Sequence, residues 1–349
     1  MTPRRSDSPS LVLVGYPGLV HVGYHLNAAA SAAGLNVTFC DARAAFDGPA
    51  WLRKLSWRVR GHRPPRLRQF SQEVVSVCRA RRPDWLLTTG LAPLEQWALA
   101  AVGELGIQRL NYLTDDPWNP AHAASWFHAG LPYYDQVFTP RRANIEDLRR
   151  SGCQRVQYLP FAYAPEVHFP QPPAGPDAAR FAADVVFVGG ADRDRVPVMS
   201  ALSRAGFRLA LWGGYWQRHR ETRPHARGHA DPPTVRQAIA GARVGLCLVR
   251  RANRDGHAMR SYEVPAMGGC MLVEDTDEHR AIFGEDGQAV VYFQSLESII
   301  DRLRWLLAHD AERQRLAMAA HRLIVDGHNT YGDRLRVMLG AEARAENAA

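Results

Sequence analysis

The chain has 349 residues, 46% of them hydrophobic and 22% charged, which is about two domains' worth of foldable sequence and excludes a disordered protein. No run approaches the ~20 apolar residues of a membrane-spanning helix, and the early LVLVG is too short for a signal-peptide core, so a soluble, cytoplasmic chain is expected. The formal charge of +8 is almost all arginine, Lys54 being the only lysine, which suits phosphate or carboxylate partners and equally follows from genome composition.

Short β-branched runs alternate with longer amphipathic ones, the pattern of βαβ units on a parallel sheet. Strands are expected at 11–15, 37–40, 84–89, 109–114, 136–139 and 156–160. Between them, helices are expected over 22–33, along an arginine-rich stretch to about Arg82, from Pro93 to about Gly106, over 121–129 and over 142–150. Five prolines then crowd into 165–176, which neither a helix nor a central strand tolerates, so 166–183 reads as a linker. The rhythm restarts with strands at 184–190, 207–214, 244–249, 270–274 and 289–293, and helices close the chain over 296–326 and 331–339. The expected fold class is α/β: two Rossmann-like doubly wound domains, 1–165 and 184–330, facing a cleft, with 331–349 packing back toward the first.

The five cysteines (Cys40, Cys78, Cys153, Cys247, Cys270) form no CxxC or Cys/His spacing, so no zinc site is expected. Glycines follow the first strand of each half: Gly15, Gly18 and Gly23, then Gly189 and Gly190. Such turns let a phosphate approach backbone N–H groups at a helix start, although any tight β-to-α turn can use glycine. Arg193 and Arg195 sit one helical turn beyond the second pair and could fork a diphosphate, or simply pair with Asp192 and Asp194. In NRDGHAMRSYEVPAMGG (253–269), Asp255 and Glu263 flank small residues and a helix start. An acid there can accept hydrogen bonds from a ribose diol. It can equally cap its helix and pair with Arg260.

The spacing Asp255-Gly256-His257-x5-Glu263, followed by Ala266 and Gly268, resembles the paired-acid region of the retaining GT-B glycosyltransferases. Its nearest variant is the spore-maturation (CgeB-like) group. FVGGADRDRV (187–196) and the segment 227–248 are similar to other blocks of the same pattern. The first acid departs from it, being Asp255 where the wider class has Glu. The resemblance implies a nucleotide-diphosphate sugar donor held by the C-terminal half. Gly189, Gly190 and either Arg193 or Arg195 would face the diphosphate; His229, Asn253, Gly256 and Glu263 would complete the nucleotide-sugar site, with Glu263 on the ribose. Asp255, His257 and Arg260 would serve catalysis. It also implies metal-independent transfer with retention, the departing phosphate helping to deprotonate the acceptor.

The first half should then supply the acceptor side. His21, as base or hydrogen-bond partner, and His25 follow the first strand four residues apart, where helical spacing would put them on one face; either could instead be solvated or packed. Gly18, Asp115 and Asp116 have a similar claim, the two acids standing equally for helix-capping, with no metal expected on them. Residues 51–68 carry seven basic side chains, no acid, and Trp51 and Trp57. They read as a dock for an acidic or membrane-bound acceptor (glycan, lipid or small molecule) at the inner membrane face, as a nucleic-acid contact, the least favoured of the three, or as a solvated segment. The function expected is sugar transfer; the alternatives are a catalytically silent binding or scaffold protein and a sugar-nucleotide epimerase.

Overall fold

The computed structural model describes residues 9–51, 56, 59, 61–175 and 178–340. Of the basic segment 51–68, positions 52–55, 57, 58 and 60 therefore lie outside the described residues. The chain divides into two units at Pro160–Phe161 and again at Thr330–Tyr331, the residues after Thr330 belonging with the first unit.

The first unit holds β1 (Ser10–Gly15), β2 (Asn36–Asp41), β3 (Trp85–Thr89), β4 (Gln108–Tyr112), β5 (Gln136–Thr139) and β6 (Val156–Tyr158), in the order β2-β1-β3-β4-β5-β6. The second holds β7 (Ala183–Val188), β8 (Leu209–Trp212), β9 (Ala226–Gly228), β10 (Ala242–Cys247), β11 (Met271–Glu274) and β12 (Val291–Phe293), in the order β12-β11-β10-β7-β8-β9. Every pairing is parallel. Central strands covered on both faces need apolar side chains at every position, and Leu11 to Val14 are all within 1% of complete burial. In the second unit, Val185, Leu211, Val244 and Leu272 build the equivalent core. Among the described residues, no helix is long and apolar enough to cross a membrane.

Three local expectations shift. The arginine-rich stretch is interrupted at Pro64 and Pro65, because proline cannot continue a helix: a short 3-10 turn (Ala42–Phe46) and the helical residues Ala50, Trp51, Ser56 and Val59 precede them, and a helix (Leu67–Arg81) follows. The three-residue edge strand β9 has no alternating pattern to announce it. The proline-rich run packs onto the second unit instead of hanging free. Arg236 holds it, donating to Gln171 Oε1 at 2.7 Å and Val167 O at 2.9 Å, with its guanidinium over the Phe169 ring. The helix Tyr331–Met338 packs on Val22–Ala32 within the first unit.

Candidate functional site

In the second sheet the strand order reverses at β7, with β8 and β9 on one side and β10 to β12 on the other. Open parallel sheets gather ligands at such a reversal, outside the carboxyl ends of the strands. Two loops meet there, 189–194 after β7 and 248–259 after β10.

The first loop is fixed by its neighbour after β8. Gly189 donates to Trp212 O and accepts from the Trp216 indole, both at 2.8 Å, and Ala191 N–H donates to Gly214 O at 2.9 Å. Gly213 has φ 140°, and a Cβ on it would lie 2.3 Å from Gly189 O, so only glycine fits. A Cβ on Gly189 would strike the Phe187 ring at 2.9 Å. Gly190 differs. Its φ is not positive, and an added Cβ would meet only the Gly214 backbone at ordinary contact distance, O at 3.6 Å and N at 4.0 Å. Packing does not require glycine at 190, whereas a ligand lying against the backbone would. The exposed His229 ring rests against the same turn, 3.4 Å from where a Gly214 Cβ would sit.

Expected phosphate donors at the start of the helix Arg195–Arg204 are already engaged. Asp192 Oδ1 accepts the N–H of Asp194 at 3.0 Å and of Arg195 at 2.9 Å, a carboxylate cap on the turn. Arg193 points into solvent beside Asp194, its side chain 88% exposed. Arg195 is the inward one. Its side chain is 11% exposed, Nη1 reaches Gly190 O at 3.3 Å and Asp192 Oδ2 at 3.4 Å, and its Nε is buried without a hydrogen-bond partner. Burial lowers its pKa first; Asp192 opposes this, Arg250 adds to it, and Asp255 opposes more weakly. Arginine stays charged regardless, so a buried guanidinium with an unmet N–H sits beside a glycine that packing does not explain.

The second loop is built from within. Asp255 is half-buried, and its N–H donates to Arg250 O at 3.3 Å after a left-handed residue, Arg254. Asn253 is buried in the 3-10 turn Arg251–Asn253. A Cβ on Gly256 would fall 2.4 Å from Glu278 Cδ, so that glycine makes room for the glutamate. His257, expected at the chemistry, is 1% exposed with both ring nitrogens committed: Nδ1–H donates to Glu278 Oε2 at 2.6 Å, and Nε2 accepts from Phe161 N–H at 3.2 Å. It positions the loop. Arg260 donates through Nε to Val188 O at 3.2 Å and pairs with Glu263. The Glu263 carboxylate is 2% exposed and also has His168 Nε2 at 3.7 Å. Arg260, 31% exposed, is the accessible member of that pair. Arg250 and Asp255 both act electrostatically on Arg195, and Arg195 and Arg260 both act on the Cys247 thiol, so the three guanidinium groups and one carboxylate stand near one another at the ends of β7 and β10. Sequence reasoning missed Arg250, Glu278 and His168; the last two act through residues far away in sequence, which no local motif reveals.

In the first unit the order reverses between β1 and β3, and a cavity of about 420 Å³ lies there. His21, Asp115 and Tyr16 line it with His62, His122 and Trp126. Burial lowers the His21 pKa below its usual 6.5; Asp115 opposes this and Arg43 adds to it. His62 Nδ1–H donates to Ala123 O at 2.6 Å and His122 Nε2–H to Asp116 O at 2.9 Å, so both imidazoles are oriented by the backbone. Gly18 leaves space for the His21 ring, 3.0 Å from where its Cβ would be, and is not itself in the wall. His25 does not join His21. His21 is the helix N-cap, with extended backbone (φ −109°, ψ 139°), and its carbonyl accepts the His25 N–H at 3.4 Å, but its ring lines the cavity while that of His25 turns into the core. His25 is 1% exposed and stacks on Tyr331 at 5.0 Å, with burial pushing its pKa down to about 4. Asp116 also leaves the site: it is 1% exposed and accepts the Trp118 N–H at 3.0 Å, closing a turn. Among the described residues, no group of three His, Cys, Asp or Glu side chains could hold a metal ion.

Two parallel doubly wound sheets, each with polar side chains at its reversal, define the GT-B architecture. Residues 195–340, fewer than half of the chain, match the glycosyl transferase-like family model, so the chain carries a glycosyltransferase-like domain. Solved structures share the fold. Sucrose-phosphate synthase from Thermosynechococcus elongatus superposes with a TM-score of 0.67 at 12% identity, covering 97% of this chain and 99% of that one. Anabaena HepE in complex with UDP and glucose gives 0.64 at 12%, covering 97% and 100%. A structure from Listeria monocytogenes assigned as a UDP-N-acetylglucosamine 2-epimerase gives 0.57 at 14%, covering 97% of each. Among curated proteins none matches the chain in sequence.

Proposed function

We propose that the protein transfers a sugar from a nucleotide-diphosphate donor, bound at the β7–β10 reversal, to a hydroxyl-bearing acceptor taken up by the first unit's cavity. The observation that carries this reading is Arg195: a buried guanidinium with an unmet Nε–H, beside Gly190, inside the segment that matches the glycosyl transferase-like family. Arg195, Arg250 and Arg260 meet the negative charge that grows on the leaving diphosphate, which is the electrostatic task of such a site. No metal is required for that task. Glu263 acts through Arg260, and Asp255 meets the donor sugar or its phosphate. HepE, a structural neighbour, is solved with UDP and glucose, which supports the donor class.

The resemblance to the CgeB-like group favours retention. The anomeric C–O bond to the diphosphate breaks as the acceptor oxygen adds on the same face, and a phosphate oxygen takes the acceptor proton. His21, its pKa lowered by burial, is a neutral imidazole at pH 7 and can accept a hydrogen bond from the acceptor hydroxyl.

The test has two readouts. Nucleoside diphosphates and their sugars are screened by thermal shift, since a ligand that binds the folded state must raise the melting temperature. Products are then analysed by mass and NMR, with and without EDTA. A glycosylated acceptor formed equally well in EDTA supports the reading. Isomerised donor formed without acceptor would establish the epimerase instead, and no shift with any nucleotide would favour the catalytically silent alternative.

A further inference from the structure

The protein's positive charge is not spread over its surface. Residues 51–82 hold ten of the 43 Lys and Arg and only one of the 35 acids, Glu73. The rest of the chain therefore carries 33 basic against 34 acidic side chains and is close to neutral. An excess that simply followed base composition of a genome would be diffuse; this one is confined to a short part of the first unit.

Among the described residues of that stretch, Arg63, Arg68 and Arg79 share one face. Along the helix Leu67–Arg81, the positions Leu67, Phe70, Ser71, Val74, Val75 and Cys78 are buried. Arg68, Gln72, Ser76 and Arg79, spaced by three or four, share the solvent side. Arg68 and Arg79 line a shallow groove of about 590 Å³ together with Arg63, Gln72, Glu95 and Trp97. The one carboxylate in the groove wall is neutralised: Glu95 pairs with Arg63 and accepts the Trp97 indole N–H at 2.8 Å. Among the described residues, Arg66, Arg68 and Arg79 have no carboxylate partner. Trp97, in the groove wall, is 39% exposed, and two further large apolar side chains of the same basic stretch are open to solvent, Trp51 at 66% and Val59 at 72%.

We propose that this face docks the protein on an anionic phospholipid membrane, with the arginine-lined groove taking lipid phosphate and Trp51, Val59 and Trp97 entering the headgroup layer. Basic residues near an anionic bilayer and tryptophan at its interface are the two signals that together hold a peripheral protein. Nucleic acid would use the same charge, but it gains nothing from an exposed valine, and tryptophan at a membrane interface needs no base to stack on. The inference is independent of the transfer chemistry, because binding to the lipid surface requires neither donor nor acceptor.

The experiment is sedimentation of the full chain with phosphatidylcholine vesicles, with and without phosphatidylglycerol, at low and physiological salt. The expected result is binding to the anionic vesicles alone, weakened by salt. An arginine at such a surface contributes roughly a fivefold gain, so Arg68→Gln with Arg79→Gln should lose about tenfold or more. Trp51→Ala should lose less. Arg149→Gln with Arg150→Gln removes the same net charge from elsewhere in the first unit and should bind as wild type, with all variants checked by circular dichroism. Equal loss in that control, equal binding to neutral vesicles, or no binding to either would overturn the proposal. So would tighter binding to single-stranded DNA than to the anionic vesicles.

Discussion

At its reversal the first sheet gathers imidazoles, a phenol and one carboxylate against aromatic walls; at its own, the second gathers guanidinium groups between glycine turns. The backbone plan is the same in both, six parallel strands with the first strand inside the sheet. What differs is the chain leaving that strand. After β1, Gly15 and Gly23 serve close packing, since a Cβ on Gly15 would meet Thr89 Oγ1 at 2.7 Å and one on Gly23 the Tyr16 N at 3.0 Å. After β7, Gly189 serves packing in the same way and Gly190 does not. A glycine that the fold does not need is better evidence for a ligand than a count of glycines.

The comparison can be strained hardest by acid. Each unit buries one histidine whose pKa burial pushes down to about 4, His25 in the first and His279 in the second. Such a group is neutral in the fold and protonates near 6.5 once unfolded, so stability is full above pH 6.5 and falls as the pH drops toward 4. Each should cost on the order of 3 kcal/mol across that window. Urea unfolding at pH 7 and pH 4.5 measures the loss, and His25→Gln and His279→Gln should each flatten its own share. Equal pH slopes in wild type and variants would mean that neither ring is held neutral.

A middling effect separates the two glycines. Gly189→Ala forces a methyl into the Phe187 ring and should cost about 1–3 kcal/mol of stability. Gly190→Ala should leave the melting temperature within a degree or two while weakening nucleotide binding. The same penalty at both positions would remove the argument that Gly190 is reserved for a ligand.

The smallest effect expected is on the acceptor side. His21→Ala should lower turnover about tenfold, in line with one lost hydrogen bond, and leave nucleotide affinity unchanged. In wild type, turnover should be level at neutral pH and fall with acid, with a pKa below 6.5, as His21 protonates. A variant that loses nucleotide affinity instead would place His21 with the donor.

Much of this was legible in the sequence. Eleven of the twelve described strands stand where short apolar runs announce them, most clearly the central ones, because a strand covered on both faces must be apolar throughout. The twelfth, β9, is a three-residue edge strand and carries no such signal. His21 and Asp115 could be picked out because they follow strands at a carboxyl edge, Arg195 because it follows a glycine turn, and Arg260 through the family resemblance. His25 and Asp116 share the first ground and His257 the last, yet all three turn inward. Sequence distance from a strand end says where a residue is, not which way it faces. Inward orientation was set by partners remote along the chain: Tyr331 against His25, and Glu278 with Phe161 on His257.

The central claim is that a nucleoside diphosphate is gripped at the second unit's reversal by the buried arginine and not by the exposed one beside it. Titration calorimetry with UDP, and with ADP or GDP should UDP fail, compares wild type with Arg195→Gln and Arg193→Gln. A charge-assisted contact is worth about 1.5–3 kcal/mol, so Arg195→Gln should weaken binding by roughly 10- to 100-fold while Arg193→Gln binds as wild type. Affinity unchanged in Arg195→Gln, or lost in Arg193→Gln instead, would contradict the account.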